Sequence, residues 1–196
     1  MKRFEPKEIF VISSNENFTR YVRENLPSGD YQLAGIATTG TEARQNLIGG
    51  SYTVLLINIP LPDENGSMLA SDLAGNNSSA VVVFVKASEE PELRDELESS
   101  GIFVIGRPCA HAAFQQVIYD AAAAQSRLQH FAVENHRLQT QIIDMRIINR
   151  AKWALIQYVG MDENTAHKFI EQQAMNMRIS KRAAAENILK TYEHQV

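Results

Sequence analysis

Six basic residues towards one end of the chain and five polar residues spread through the other carry most of the chemical potential of this sequence. Arg146, Arg150 and Lys152 lie close together, as do Arg178, Lys181 and Arg182. Clusters of guanidinium and ammonium groups suit a polyanion such as a nucleic-acid backbone. The other set is Ser13, Ser14, Asn58, Lys86 and Arg107: two hydroxyls, an amide and two cations. It can hydrogen-bond, but it lacks the hard anionic oxygens that Mg2+ prefers. The Asn58 amide is also a poor nucleophile, because its lone pair is delocalised and it bears no charge.

Nothing else points to catalysis. The histidines at 111, 130, 136, 167 and 194 have no metal-ligand spacing, and no nucleophile–base pair or phosphate loop is visible. A single cysteine, Cys109, excludes an internal disulfide and a cysteine-based zinc site. The chain is therefore expected to be no enzyme and to need neither cofactor nor metal. The longest apolar runs are only strand-length and MKRFEPKEIF lacks the apolar core of a signal peptide, so a cytoplasmic protein without a membrane span is expected.

The net charge of −4 conceals an asymmetry. Residues 1–110 carry 9 Lys and Arg against 15 Asp and Glu, while residues 146–196 carry 8 against 5. An acidic front and a basic rear place the polyanion contact at the rear.

The strand-end polar residues require an alternating α/β scaffold. Ile9–Ile12 reads as a strand, followed by a helix with Phe18, Val22 and Leu26 on one face up to Pro27. Tyr31–Ala37 is a second strand, Thr41–Leu47 a helix, and Val54–Ile57 a strand apolar enough to be buried on both faces. A helix after Gly66, a strand from Ala80 to Val85, a helix from Pro91 to Glu98 and a strand from Ile102 to Ile105 complete the pattern. Five strands alternating with helices predict a doubly wound parallel sheet. Its working edge is the C-terminal ends of the strands, where Ser13, Ser14, Asn58, Lys86 and Arg107 fall.

Residues 8 to about 120 resemble the receiver domain of bacterial response regulators. The stretch Ile57-Asn58-Ile59-Pro60-Leu61-Pro62-Asp63-Glu64-Asn65-Gly66 is similar to that family's third-strand motif, an aspartate followed by a Pro-containing loop and a Gly. Val85-Lys86-Ala87 and Arg107-Pro108 stand where the family has an apolar–hydroxyl–Ala step and Lys-Pro. The resemblance implies a degenerate pocket: Asn58 at the phosphoacceptor position, Ser13 and Ser14 at the metal-binding acids, Lys86 at the hydroxyl and Arg107 at the Lys. The Lys86 ammonium is expected to fill the metal's space and donate to Asn58, and Asp63 to be a turn residue.

Behind this domain, Val117, Ala121, Ala124, Leu128, Phe131, Asn135, Leu138, Ile142 and Met145 alternate at spacings of four and three, a heptad seam. The alanine-rich first half could pack on the chain's own domain. The rest predicts a homodimeric coiled coil, with Leu128, Phe131, Asn135, Leu138, Ile142 and Met145 as its seam and Asn135 setting register and strand number. The helix continues to Gly160, a C-cap. Asp162 and Ser180 are N-caps for two further helices, which must pack on the long one as a three-helix unit.

That unit resembles the ANTAR domain, the RNA-binding module of transcription antitermination regulators. The similarity is carried by Arg150-Ala151-Lys152, Gly160, Ala166, Phe169-Ile170, Ala174, Arg178, Ala184 and Ile188. It implies binding to hairpins in nascent leader RNA, with Arg146, Arg150, Ala151, Lys152, Arg178, Lys181 and Arg182 as the expected RNA-binding set. Lys181 and Arg182 near a helix N-terminus oppose its dipole, so a phosphate partner is expected to explain them. Trp153 and Tyr158 are either base-stacking residues or core of the small bundle.

The expected division is a receiver-like domain over 1–115, a dimerising helix over 116–145 and the three-helix unit over 146–196, with a regulatory protein partner as one means of control. A DNA-binding regulator and a protein-binding adaptor are the alternatives.

Overall fold

The computed structural model describes residues 6–27, 29–76 and 79–192. Five strands, β1 (Lys7–Ile12), β2 (Tyr31–Ala37), β3 (Val54–Asn58), β4 (Ala80–Lys86) and β5 (Phe103–Arg107), alternate with helices α1 (Glu16–Asn25), α2 (Gly40–Asn46), α3 (Gly66–Asn76) and α4 (Glu90–Leu97). Every pairing is parallel and the strand order is β2-β1-β3-β4-β5. This is the expected doubly wound sheet of the flavodoxin-like order.

The central strands show why. β3 is buried along its whole length, and β4 is buried except for its last residue. Their β-branched side chains suit a pleated surface covered on both faces. On one face Leu55, Ile57 and Val83 pack under Ala43, Leu69, Leu73 and Leu97 of α2, α3 and α4. On the other, Leu56, Val82 and Phe84 meet Phe18 and Val22 of α1 and Phe114, Ile118 and Ala121 of the next helix. Phe84 lies 5.0 Å from the Phe18 ring and 5.9 Å from that of Phe114, tying three elements together.

That next helix, α5, runs unbroken from His111 to Val159. It is followed by α6 (Glu163–Met177) and α7 (Lys181–Tyr192). The chain forms two compact units that divide within α5, between His130 and Phe131. In the first unit, Val117 and Ala121 are buried against the sheet. The heptad pattern therefore serves two purposes: its first residues are core of the α/β domain, and those from Leu128 onward are exposed.

In the second unit, Ala151, Ala154 and Leu155 of α5 pack with Ala166, Ile170 and Ala174 of α6 and Ala184, Ala185, Ile188 and Leu189 of α7. Small residues dominate, so the end of α5 and the two short helices α6 and α7 approach closely. Gly160 ends α5 at φ +74°, the left-handed conformation expected of its C-cap. Asp162 caps α6 through the Thr165 amide at 2.9 Å, and Ser180 accepts from the Ala183 amide at 3.1 Å.

Candidate nucleic-acid interface and the receiver-like strand ends

The strand-end residues form a neutral hydrogen-bonded centre. Ser13 and Asn58 are both buried, at the ends of the adjacent strands β1 and β3. Asn58 Nδ2 donates to Ser13 Oγ at 2.9 Å, and Ser13 Oγ accepts from the Asn15 amide at 3.0 Å. Asn58 Oδ1 is buried with no hydrogen-bond partner among the described residues. Ser14 points to solvent.

Lys86 does not fill this centre. Its side chain is mostly exposed and its ammonium lies 4.0 Å from Glu89, three residues on. The expected donation from Lys86 to Asn58 is not made; Asn58 itself donates to the Ser13 hydroxyl. A hydrated ammonium beside a carboxylate avoids the cost of burying a charge next to a neutral amide. Arg107 Nη2 donates to the Ile59 carbonyl at 2.9 Å, and burial pushes the guanidinium pKa down.

Asp63 is more than a turn residue. Its carboxylate accepts from the Gly40 and Thr41 amides, each at 2.9 Å, and from the Thr41 hydroxyl at 3.0 Å. These amides are at the N-terminus of α2, and their hydrogen bonds lower the Asp63 pKa to about 2. Glu64 adds an ion pair to Arg44 of α2, so the loop after β3 is fastened to α2 by two carboxylates. Nothing in the periodicity identified this; the only signal was acidic residues in a loop.

Exposure and internal pairing are not alternatives among the basic residues of the second unit, since Lys181 is both exposed and paired. Arg146 and Arg150 are exposed on α5, and Arg178 is exposed at the end of α6. Lys152 Nζ donates to Glu163 at 3.0 Å and Lys181 Nζ to Glu171 at 2.5 Å. Arg182 bridges Glu186 at 2.9 Å and Asp144 at 3.1 Å. The cations at the start of α7 thus have carboxylate partners within the unit, and the helix-dipole argument does not require a phosphate there. Ala151 is fully buried in the bundle core, so it offers no surface to RNA. Arg178 holds φ +54°, ψ +42° at the α6 C-cap, a conformation uncommon outside glycine.

The two aromatic candidates separate. Tyr158 stacks on Tyr192, with ring centroids 6.1 Å apart and planes at 1°. Trp153 is 68% exposed and takes no part in the bundle core.

An α/β receiver fold precedes a compact three-helix unit with a partly exposed basic surface, and residues 136–189 match the ANTAR domain. The chain is similar over 186 residues, at 21% identity, to the transcriptional regulatory protein PdtaR of Mycobacterium tuberculosis, covering 95% of this chain and 91% of that one. It is also similar to the aliphatic amidase regulator of Pseudomonas aeruginosa, at 28% identity over 116 residues, 59% of this chain and 58% of the relative. Among solved structures, the signal receiver domain of an HD domain-containing protein from Pseudomonas fluorescens aligns with a TM-score of 0.59 at 17% identity, covering 66% of this chain and 96% of that one. That likeness establishes the receiver fold of the front domain. Among the described residues, no helix is long and apolar enough to cross a membrane.

Proposed function

We propose that this chain is an RNA-binding transcription antitermination regulator that acts as a dimer on hairpins in nascent leader RNA. The observation that carries this reading is the ANTAR match over residues 136–189, on a unit that exposes Arg146, Arg150 and Arg178. Lys152, Lys181 and Arg182 belong to the same basic set and would exchange an internal carboxylate for a phosphate on binding.

Dimerisation is assigned to residues 116–145, between a receiver-like domain over 1–115 and the RNA-binding unit over 146–196. The exposure of Leu128, Phe131, Leu138, Ile142 and Met145 along one helix supports a partner helix there. Two linked units then take two hairpins, and effective concentration raises the apparent affinity. The receiver-like domain is assigned no phosphotransfer, because Asn58 replaces a carboxylate and donates to Ser13 in a centre lacking metal-binding acids. Control then falls to expression level or to a protein partner.

A gel shift with a two-hairpin leader RNA that overlaps a terminator, the same sequence as duplex DNA, and an unrelated RNA tests this proposal. Selective binding of the leader RNA is expected. Equal binding to all three, or to none, overturns it.

A further inference from the structure

The front domain holds a small cavity, of about 240 Å3, beside the strand-end centre. Phe18 and Tyr21 of α1, Phe84 of β4, and Arg107 and Pro108 at the end of β5 line it, whereas Ser13, Asn58 and Lys86 do not. Cavities for drug-sized ligands span roughly 300–1,000 Å3, so this one suits a smaller molecule with one ring and one head group. Three aromatic side chains and a proline favour a planar ring, which packs against them offset or edge-to-face.

Two donors in the wall specify the head group. Arg107 Nη2 donates to the Ile59 carbonyl at 2.9 Å, but Arg107 Nε is covered and has no hydrogen-bond partner among the described residues. Nor does any described carboxylate pair with this guanidinium. Glu89, whose charge reaches it, is exposed and lies 4.0 Å from the Lys86 ammonium. A partly buried cation held by one neutral carbonyl is under-compensated. The Tyr21 hydroxyl is likewise covered and unpartnered, and the Cys109 thiol beside it is only a weak acceptor. Burial raises the Tyr21 pKa, which keeps the phenol protonated and able to donate.

A carboxylate answers both donors. Its two oxygens match the guanidinium fork, and a remaining lone pair can accept from the phenol. An amide brings no charge. A phosphate brings more charge than one guanidinium offsets, and the apolar wall would strip its hydration without return.

We propose that this cavity binds a small aromatic monocarboxylate, its ring against Phe18, Tyr21 and Phe84 and its carboxylate on Arg107 and the Tyr21 hydroxyl. Both donors are covered by the wall, so the two side chains turn toward the ligand as it enters. The site lies within the front domain, and it stands or falls independently of RNA binding.

The test titrates the full-length protein with para-fluorobenzoate, followed by fluorine NMR and thermal unfolding. Para-fluorobenzamide, acetate and inorganic phosphate are run in parallel as competitors. Saturable binding of para-fluorobenzoate is expected, with a dissociation constant of about 1 mM or below and a raised melting temperature. The three competitors are expected to bind about tenfold more weakly or worse. Tyr21→Phe removes a hydroxyl that has no partner, so without ligand it should melt no lower than wild type while binding roughly two- to tenfold more weakly. Arg107→Gln is expected to lose about tenfold or more. Absence of saturable binding, or equal binding of the amide, acetate or phosphate, overturns the proposal. Wild-type affinity in Tyr21→Phe also overturns it, whether or not Arg107→Gln folds. So does a Tyr21→Phe variant that melts below wild type, which shows that the hydroxyl already has an internal partner.

Discussion

Asn58 donates its amide to the Ser13 hydroxyl across 2.9 Å, joining the C-terminal ends of β3 and β1 inside the receiver-like domain. This contact is satisfied without a metal or a charge, and it defines what a restored carboxylate would meet. In Asn58→Asp, a buried carboxylate accepts one hydroxyl. Lys86 stays at the surface beside Glu89, and Arg107 is committed to the Ile59 carbonyl. The variant is expected to lose about 1–3 kcal/mol of stability at neutral pH. Burial raises the folded-state pKa of the new carboxyl above its unfolded value, so the loss should shrink as pH falls through the folded pKa. Urea unfolding at pH 7 and pH 5 measures both effects. Neither form is expected to gain about 80 Da from acetyl phosphate and Mg2+ in an intact-mass measurement.

Asp63 makes the front domain sensitive to acid in a narrow window. Its folded pKa is about 2, against an ordinary 3.8, because the Gly40 and Thr41 amides favour the carboxylate. A depressed folded pKa gives stability that is present above the unfolded value and lost as pH falls through the folded one. The contribution should therefore decline between about pH 4 and pH 2. In Asp63→Asn, the melting temperature of the front domain should be lower at pH 7 and should vary less across that window. Parallel thermal melts of the two proteins give the comparison.

The alternating scaffold was legible because its signal is local. Val54–Ile57 and Val81–Val85 are continuous β-branched and apolar runs, and each is punctuated by turn residues. The caps at Asp162 and the glycine stop at Gly160 were equally local. What was not legible depends on partners distant in sequence or on a choice between two neighbours. Lys86 turns to Glu89 and away from Asn58, and both were within reach on paper. Tyr158 finds Tyr192, and Arg182 finds Asp144 across 38 positions. The similarity of Ala151 to a motif residue said nothing about whether it faces core or solvent, although its apolar neighbours at helical spacing did point inward.

Arg178 offers a test in which stability and binding move in opposite directions. Its left-handed backbone at the α6 C-cap is sterically costly for any residue with a Cβ. Arg178→Gly should therefore stabilise the three-helix unit by about 1 kcal/mol. It also deletes an exposed guanidinium, so hairpin binding should weaken and the slope of log K against log salt should flatten by about 0.7–0.9 for one lost phosphate contact. Chemical denaturation and binding isotherms at several salt concentrations read the two effects separately. Stabilisation with unchanged binding would remove Arg178 from the RNA-binding set.

The seam from Leu128 to Met145 divides from the rest of its heptad pattern at a physical boundary. Val117 and Ala121 are buried against the chain's own sheet, whereas Leu128, Phe131, Ile142 and Met145 are each more than half exposed. Leaving this many large apolar side chains in water on one stripe is unfavourable, and a second copy of the same stripe relieves it symmetrically. Asn135 is the polar residue within that stripe, and a buried Asn pair costs stability while restricting strand number. In the proposed dimer, Ile142→Glu should give a monomer in sedimentation equilibrium, since a carboxylate at the seam would be buried opposite its twin. Asn135→Leu should give a tighter but less defined assembly, with species larger than a dimer. A monomeric wild-type chain, or an Ile142→Glu variant that sediments as wild type, would show that the exposed stripe serves something other than self-association.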